Sequence, residues 1–465
     1  MSAAPATLSA RATAEWRAEV GGIEVLFGHG GLAGVGELAR ELGGRRALLV
    51  TDPGVRAAGH AERAAGALAA AGVAVQIFDE VGENPTTRHV EAGRDAAAAW
   101  GADLLVGLGG GSAMDCAKGI NFLLTNGGRM EDYRGFGRAS LPMLPAIGVP
   151  TTAGTGSEAQ SYALISQAES HQKMACGDRK ARFRIVVLDP ELIASAPRRV
   201  AAAAGLDALA HAVESIVCRS ANPVSRMLSR AAWRLLELNF ERALPAPPAS
   251  ATPATPAALQ APVVWATPAI LSPATLTPAT SATPGILSPA TPAIMTPATS
   301  ATPAIVSAAE AAARAGAAGD LLLGAHLAGA AVEASMLGAA HACANPLTAR
   351  YGIVHGAAVA LMLPHVVRFN SAQPASAAPA ESAESAESAV AGYAELDGCR
   401  SGQELAARIE ALRAAANLPE RLRDAGVEAP ALRELAREAA HQWTVAFNPR
   451  PVGEDDLLRL YELAF

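Results

Sequence analysis

The stretch Asp103-Leu-Leu-Val-Gly-Leu-Gly-Gly-Gly-Ser-Ala-Met-Asp-Cys-Ala-Lys118 reads as a strand, a glycine turn and a helix in direct succession. Consecutive glycines at a strand end let the backbone approach a pyrophosphate, and the following helix N-terminus adds N–H groups and positive potential. The spacing is neither G-x-G-x-x-G nor a Walker loop, so taken alone the run serves equally well as a tight βα turn. Around it the β-rich runs Arg46–Thr51, Val73–Phe78, Ala146–Val149 and Arg184–Leu188 alternate with alanine-rich helical stretches. That alternation predicts a mostly parallel sheet with helices on both faces over residues 1–196, and it puts ligands at the strands' carboxyl ends.

Beyond Pro197 the β signal stops, and Ala, Leu, Arg and Glu recur at helical spacing, which predicts an all-α domain over residues 197–465. Asn222-Pro223 opens one helix, Asn417-Leu-Pro419 separates two others, and Asn448-Pro-Arg-Pro451 precedes the last. Two low-complexity stretches interrupt this domain. Between Ala243 and Ala309 no residue is charged, and Thr277–Pro284 recurs as Thr296–Pro303. Proline at that density breaks helices and central strands, so residues 245–307 are expected to loop out as an extended or disordered insertion. The Glu-Ser-Ala repeats within 372–390 are expected to form a second surface loop.

Metal chemistry is concentrated in the helical half. In Gly205-Leu-Asp-Ala-Leu-Ala-His-Ala-Val-Glu214, Asp207 and His211 stand four apart, on one helix face. Taken alone, the pair describes an intrahelical hydrogen bond just as well. His341 and His355, downstream in a histidine-poor region, extend it to a four-donor metal site. The apolar neighbours predict burial, where an unpaired carboxylate is costly and a cation is a natural partner. Three imidazoles and one carboxylate suit iron(II) and zinc(II) equally.

Three stretches complete a candidate dinucleotide site with Gly109, Gly110, Gly111, Ser112 and Asp115. Asp52 ends a strand, Asn84 lies in the turn Gly82–Thr86, and Thr151, Thr152 and Thr155 offer hydroxyls beside glycines. An acidic Asp52 near an adenosine ribose accepts from its hydroxyls and repels a 2′-phosphate, which favours NAD over NADP.

Composition narrows the function classes. A net charge of −7 spread over 465 residues leaves no basic stripe for nucleic acid or an anionic membrane. The five cysteines are scattered, odd in number and without a C-x-x-C pair, which fits structural thiols in a reducing compartment. No run has the leucine and isoleucine density of a membrane span, and no secretory leader is evident, so a cytoplasmic protein with small-molecule partners is expected.

The run Gly109–Lys118, Pro150-Thr-Thr-Ala-Gly-Thr-Gly-Ser-Glu158, the Gly205–Glu214 segment, and His355-Gly with Leu363-Pro-His365 together resemble the iron-containing alcohol dehydrogenase family, of dehydroquinate synthase-like fold. The resemblance runs from about Phe27 to Phe465, omitting the two low-complexity stretches. It implies an N-terminal dinucleotide-binding domain, a helical C-terminal domain and one divalent metal in the cleft between them. On this resemblance Asp207, His211, His341 and His355 are the ligands, the last two at the family's fourteen-residue separation, and act catalytically through the metal. Gly109 to Ser112 with Asp115 match the pyrophosphate loop, Thr151, Thr152 and Thr155 line the cofactor, and Asp52 sits at the position associated with NAD preference. The implied reaction is hydride transfer between NAD(H) and a small alcohol or aldehyde, carried out by a homodimer or larger homo-oligomer.

One position departs from the family. Many members carry a histidine four residues after the third ligand, where this chain has Asn345, which cannot titrate near neutrality. Cys343 beside a ligand, and Lys118 and Lys173, stay ambiguous; His29 reads as solvated, His326 and His365 as core or rim histidines. Two other readings compete. Dehydroquinate synthase and glycerol-1-phosphate dehydrogenase are related, NAD-using and metal-dependent, but their phosphorylated or acidic substrates call for several basic residues that are not evident around the ligands. A non-catalytic scaffold with a vestigial site would be expected to show substitutions among the four donors.

Overall fold

The computed structural model describes residues 16–170, 172–244, 316–372, 380–396 and 398–465. The insertion expected at 245–307 lies outside them. A seven-stranded sheet forms the first half, in the order β1 (Trp16–Val20), β2 (Ile23–Phe27), β10 (Ile185–Leu188), β7 (Ala146–Pro150), β5 (Leu104–Gly109), β3 (Arg46–Val50) and β4 (Ala74–Phe78). All neighbours are parallel except β1 on β2, a hairpin turned by Gly21 and Gly22, both at positive φ. Central strands read as unbroken apolar runs because both faces are covered; every residue of β5 and β7 is buried.

The five expected strands appear within one or two residues of their anticipated bounds. The β1–β2 hairpin and a second sheet of β6 (Gly135–Phe136), β9 (Lys173–Gly177) and β8 (Tyr162–Ser166) do not appear in the sequence reading. These strands are two to five residues long and carry Lys, Tyr and Ser on a half-buried face, so neither length nor hydrophobicity marks them.

From Arg198 onward the described residues form helices and turns only. Asn222 caps α8 (Pro223–Ala243) by accepting from the amides of Val224 and Ser225, as its Asn-Pro signal anticipates. Helix α7 (Arg198–Val217) is long and apolar enough by length and composition to cross a bilayer, yet it carries Asp207 and Glu214 and 83% of its apolar window is buried inside the protein. The Glu-Ser-Ala repeat corrects another expectation. Residues 373–379 lie outside the description, but Ala380–Ala394 is a helix rather than a loop. Alanine and glutamate are strong helix formers, no proline falls between Pro379 and Pro419, and Ala389 and Tyr393 anchor the helix in the core.

Helices α8 and α9 (Ala317–Ala334) pair antiparallel. Asn222 donates to the Ala334 carbonyl at one end, Gly324 packs on Leu236 in the middle, and Asp320 lies beside Asn239 near the other end. Leu244 and Gly316 therefore finish at the same end of a helical hairpin, the topology that tolerates an insertion best. Helix α9 precedes the helix that carries His341. Deleting residues 245–307 should leave metal content and turnover unchanged; a folded but inactive deletion variant would refute this.

The two halves meet closely. Gly156, after β7, faces Gly329 on α9 so tightly that a Cβ on either would fall 2.5 Å from the other's backbone. Beside them Glu333 accepts from the Ser161 amide and hydroxyl, both at 2.9 Å, and pairs with Arg182.

Candidate metal and dinucleotide site

Asp207, His211 and Glu214 occupy one inward face of α7, at spacings of four and three residues. His341 lies in the first turn of α10 (Ala339–Tyr351), and His355 begins α11 (His355–Ser371). Asp207 Oδ1 is the centre of the group. His341 Nε2 lies 3.4 Å from it, His211 Nε2 3.8 Å and His355 Nε2 3.9 Å. Donor atoms of Asp207, His211 and His341 fall within 4.8 Å of one another, and His355 joins through Asp207. Metal–ligand bonds of ~2.0–2.2 Å in a tetrahedron set donor atoms ~3.3–3.6 Å apart, close to these separations.

Electrostatics match a cation. Asp207 Oδ1 and His341 Nε2 are buried without a hydrogen-bond partner, as atoms awaiting an ion would be. Burial opposes the charge of Asp207, but the three histidines hold its carboxyl well below the usual range. Burial lowers His211 and pushes His355 down to about 3, keeping both imidazoles neutral and able to ligate. For His341 burial is outweighed by Glu214 and Asp207, which raise it to about 9.

Glu214 closes the motif quoted from the sequence, but no role was read for it there. One carboxylate oxygen accepts the Ala340 amide at 2.8 Å and the other meets His341 Nδ1 at 2.5 Å. Holding the proton on Nδ1 aims the Nε2 lone pair at the site, the usual second partner of a ligating histidine. Its place one helical turn beyond His211 on a buried face was the available signal. Glutamine at 214 has one oxygen for two donors, so Glu214→Gln should weaken metal binding about 10- to 100-fold. Competition against a graded chelator measures this; unchanged affinity would remove Glu214 from the site.

The other candidates gather at the carboxyl ends of β3, β5 and β7. Asp52 caps the short helix α2 (Pro53–Ala57) through Gly54 and Val55, beside Gly109. Gly109 has φ 152°, and a Cβ there would press on Ala113. Gly110 and Gly111 lie against Thr152 and Thr155, where a Cβ on Gly111 would come within 2.8 Å. Ser112 is half-buried in the first turn of α5 (Gly111–Asn126), and Thr151 is buried, its amide bonded to the Gly109 carbonyl at 2.8 Å. Asn84 turns the chain at φ 53°, just before Thr86 bridges to Ser166. Asp115 faces inward, accepting from the Ser157 hydroxyl at 2.5 Å and pairing with buried Lys118 at 3.3 Å. Lys118 is thereby committed to Asp115 and the 157–162 loop, with burial lowering its pKa.

This dinucleotide half is held against the metal half. Gly154 sits on Ala204 of α7 so closely that a Cβ would stand 2.5 Å from the Ala204 methyl, three residues before Asp207. A cleft beside the histidines is lined by Leu164, Lys173 and Ala175 from the small sheet and by Asn345, Trp443 and Thr444 from the helical half. Asn345 donates to Gln442 at 3.0 Å. Cys343 is fully buried and stands outside the group of close donor atoms formed by Asp207, His211 and His341. His326 is buried against Glu158, as a core histidine.

Comparison with known proteins decides the family. The model for iron-containing alcohol dehydrogenase matches residues 23–190, and that for the C-terminal part of the Fe-containing alcohol dehydrogenase family matches residues 281–465. The 1,3-propanediol dehydrogenase of Klebsiella pneumoniae is 30% identical over 442 residues, 94% of this chain and 96% of that one. The chain belongs to the iron-containing alcohol dehydrogenase family. An NAD-dependent methanol dehydrogenase of Bacillus methanolicus is 35% identical over 219 residues, a match spanning 47% of this chain and 58% of that one. A crystal structure of a 1,3-propanediol oxidoreductase superposes with a TM-score of 0.73 at 27% identity, covering 98% of this chain and all of the other. This alcohol dehydrogenase therefore has the dehydroquinate synthase-like architecture, an α/β half followed by a helical half.

Proposed function

We propose that the protein is a metal-containing, NAD-dependent dehydrogenase that interconverts a small alcohol and its aldehyde, with Asp207, His211, His341 and His355 as the ligands. The observation that carries this reading is the buried, unpartnered Asp207 Oδ1 with three imidazole Nε2 atoms at 3.4–3.9 Å, facing a cleft. A divalent cation there, iron(II) or zinc(II), polarises the substrate oxygen and lowers the pKa of its hydroxyl, while NAD supplies or accepts the hydride.

The chain supplies position. Gly109 to Ser112 and the Thr151–Thr155 loop hold the pyrophosphate, and Asp52 receives the adenosine ribose. The Gly154–Ala204 contact fixes that loop relative to α7, which sets the nicotinamide against the metal-side substrate carbon. Asn345, tied to Gln442, carries no titrating proton and so cannot itself take the proton of the alcohol. A phosphorylated substrate is disfavoured because Lys173 is the one lysine or arginine among the described cleft residues. The four intact donors argue against a vestigial scaffold. A cytoplasmic homo-oligomer completes the proposal.

The test is metal content of anaerobically purified protein together with NADH formation from short alcohols and diols. About one iron or zinc per chain, with turnover abolished by chelator, is expected. Metal-free, inactive protein that still binds NAD would overturn the reading.

A further inference from the structure

The small sheet presents one half-buried face to the cleft. Side chains alternate along a strand, so Tyr162, Leu164 and Ser166 of β8 share that face with Lys173, Ala175 and Gly177 of β9. The antiparallel register pairs Ser166 with Lys173, Leu164 with Ala175, and Tyr162 with Gly177. Composition thus changes in one direction along the ladder. The Lys173 end is polar and feels Asp207 and Asp115, the middle is aliphatic, and the far end is aromatic.

The far end is built from both halves of the molecule. Trp443, in the helical half, lines the cleft and stacks on Tyr162 with centroids 5.7 Å apart and planes at 25°. Tyr162 in turn meets Phe136 at 5.6 Å. A Cβ on Gly177 would stand 2.4 Å from the Tyr162 ring, so glycine there is what allows the ring to lie across the ladder. Trp443, which lines the cleft, remains 39% exposed, and Phe136, beyond Tyr162, 51%. Isolated exposed apolar residues are ordinary, but Trp443 stacked on Tyr162, with Phe136 tilted against that ring, forms an aromatic patch at the cleft's edge.

Resting on the reaction proposed above, we propose that this ladder is a tail channel and that the preferred substrates are primary alcohols or aldehydes bearing an extended apolar or aromatic tail. With the reacting oxygen at the histidines, the tail runs past Leu164 and Ala175 toward Trp443 and Tyr162. Four residues of strand separate Lys173 from Gly177, about 13 Å of ladder along which the tail would lie toward the exposed Trp443 edge. Lys173 stands at the oxygen end and does not face the tail.

The metal-loaded enzyme is assayed with ethanol, butan-1-ol, hexan-1-ol and benzyl alcohol. The kcat/KM should rise at least about tenfold from ethanol to hexan-1-ol, as burying successive methylenes does. Trp443→Ala should cut the hexan-1-ol to ethanol ratio of kcat/KM about tenfold, mainly through KM, and Trp443→Phe should restore most of it. Independently of turnover, hexanamide should shift the tryptophan emission of wild-type protein and not that of Trp443→Phe. A flat series, or Trp443→Ala lowering both alcohols alike, would overturn the channel. If no alcohol is oxidised while hexanamide still shifts Trp443 emission, the channel is supported and the proposed reaction fails.

Discussion

Asp207→Ala is expected to yield folded, NAD-binding protein that retains no metal and loses turnover by at least about a thousandfold, the effect of removing several kcal/mol of charge stabilisation at the reacting oxygen. The three imidazoles pack against one another around this carboxylate, whose Oδ1 lies within 3.9 Å of each of their Nε2 atoms. Alanine therefore removes both the anionic donor and the centre of the donor set. The cofactor candidates are on other elements, at the ends of β3, β5 and β7, so NAD affinity should be kept. A second readout separates a lost metal from lost folding. In the metal-free state, against the opposing effect of burial, the three histidines hold the Asp207 carboxyl well below its usual range, so the charged carboxylate stabilises the fold and its removal costs some stability even without metal. The metal-free variant should melt somewhat below metal-free wild type but still in one cooperative transition, and added iron or zinc should raise the Tm of wild type alone. Parallel loss of NAD binding and of the melting transition would mean that Asp207 serves the fold instead.

Legibility in the sequence followed the length scale of each signal. The parallel strands were readable because β3, β5, β7 and β10 are buried on both faces over nearly all their length and consist almost wholly of Val, Ile, Leu, Ala and Gly. The four donors were readable because Asp207 and His211 share a helix face and the motifs around them and around His355 resemble a known metal site. Glu214 was visible but silent, since its role depends on the Ala340 amide and His341 Nδ1, 126 and 127 residues away. The cleft wall is harder still. Leu164, Ala175 and Trp443 become neighbours only through the β8–β9 register and the meeting of the two halves, which no local spacing encodes. The Glu-Ser-Ala repeat shows the opposite error, where low complexity outweighed a composition that favours helix.

Gly356→Ala should be the most damaging one-carbon change in the chain. The first turn of α11 lies on α7 so closely that a Cβ at 356 would stand 1.9 Å from the Ala203 carbonyl oxygen, 2.6 Å from its carbon and 3.1 Å from the Asp207 Cβ. Carbon and oxygen in contact are normally about 3.3 Å apart, so the helices would have to part by about 1.4 Å. The obstacle is backbone inside a helix, which no rotamer change relieves, and overpacking of this kind costs about 3 kcal/mol or more. The displacement acts where it matters chemically. Gly356 follows His355 directly, and Ala203 lies one turn before Asp207, so parting the helices widens the 3.9 Å gap between His355 Nε2 and Asp207 Oδ1. Bonds of about 2.0–2.2 Å cannot span a gap near 5 Å around one tetrahedral ion, so metal affinity should fall together with stability. A Tm lowered by about 6–12 °C, judged from domains of 150–250 residues, and substoichiometric metal are expected. Gly34→Ala is the control, since Gly34 has φ −83° and its Cβ would meet nothing within 4 Å; it should change neither property. Wild-type melting and full metal in Gly356→Ala would show that α7 and α11 are not in the close contact that brings His355 to the site.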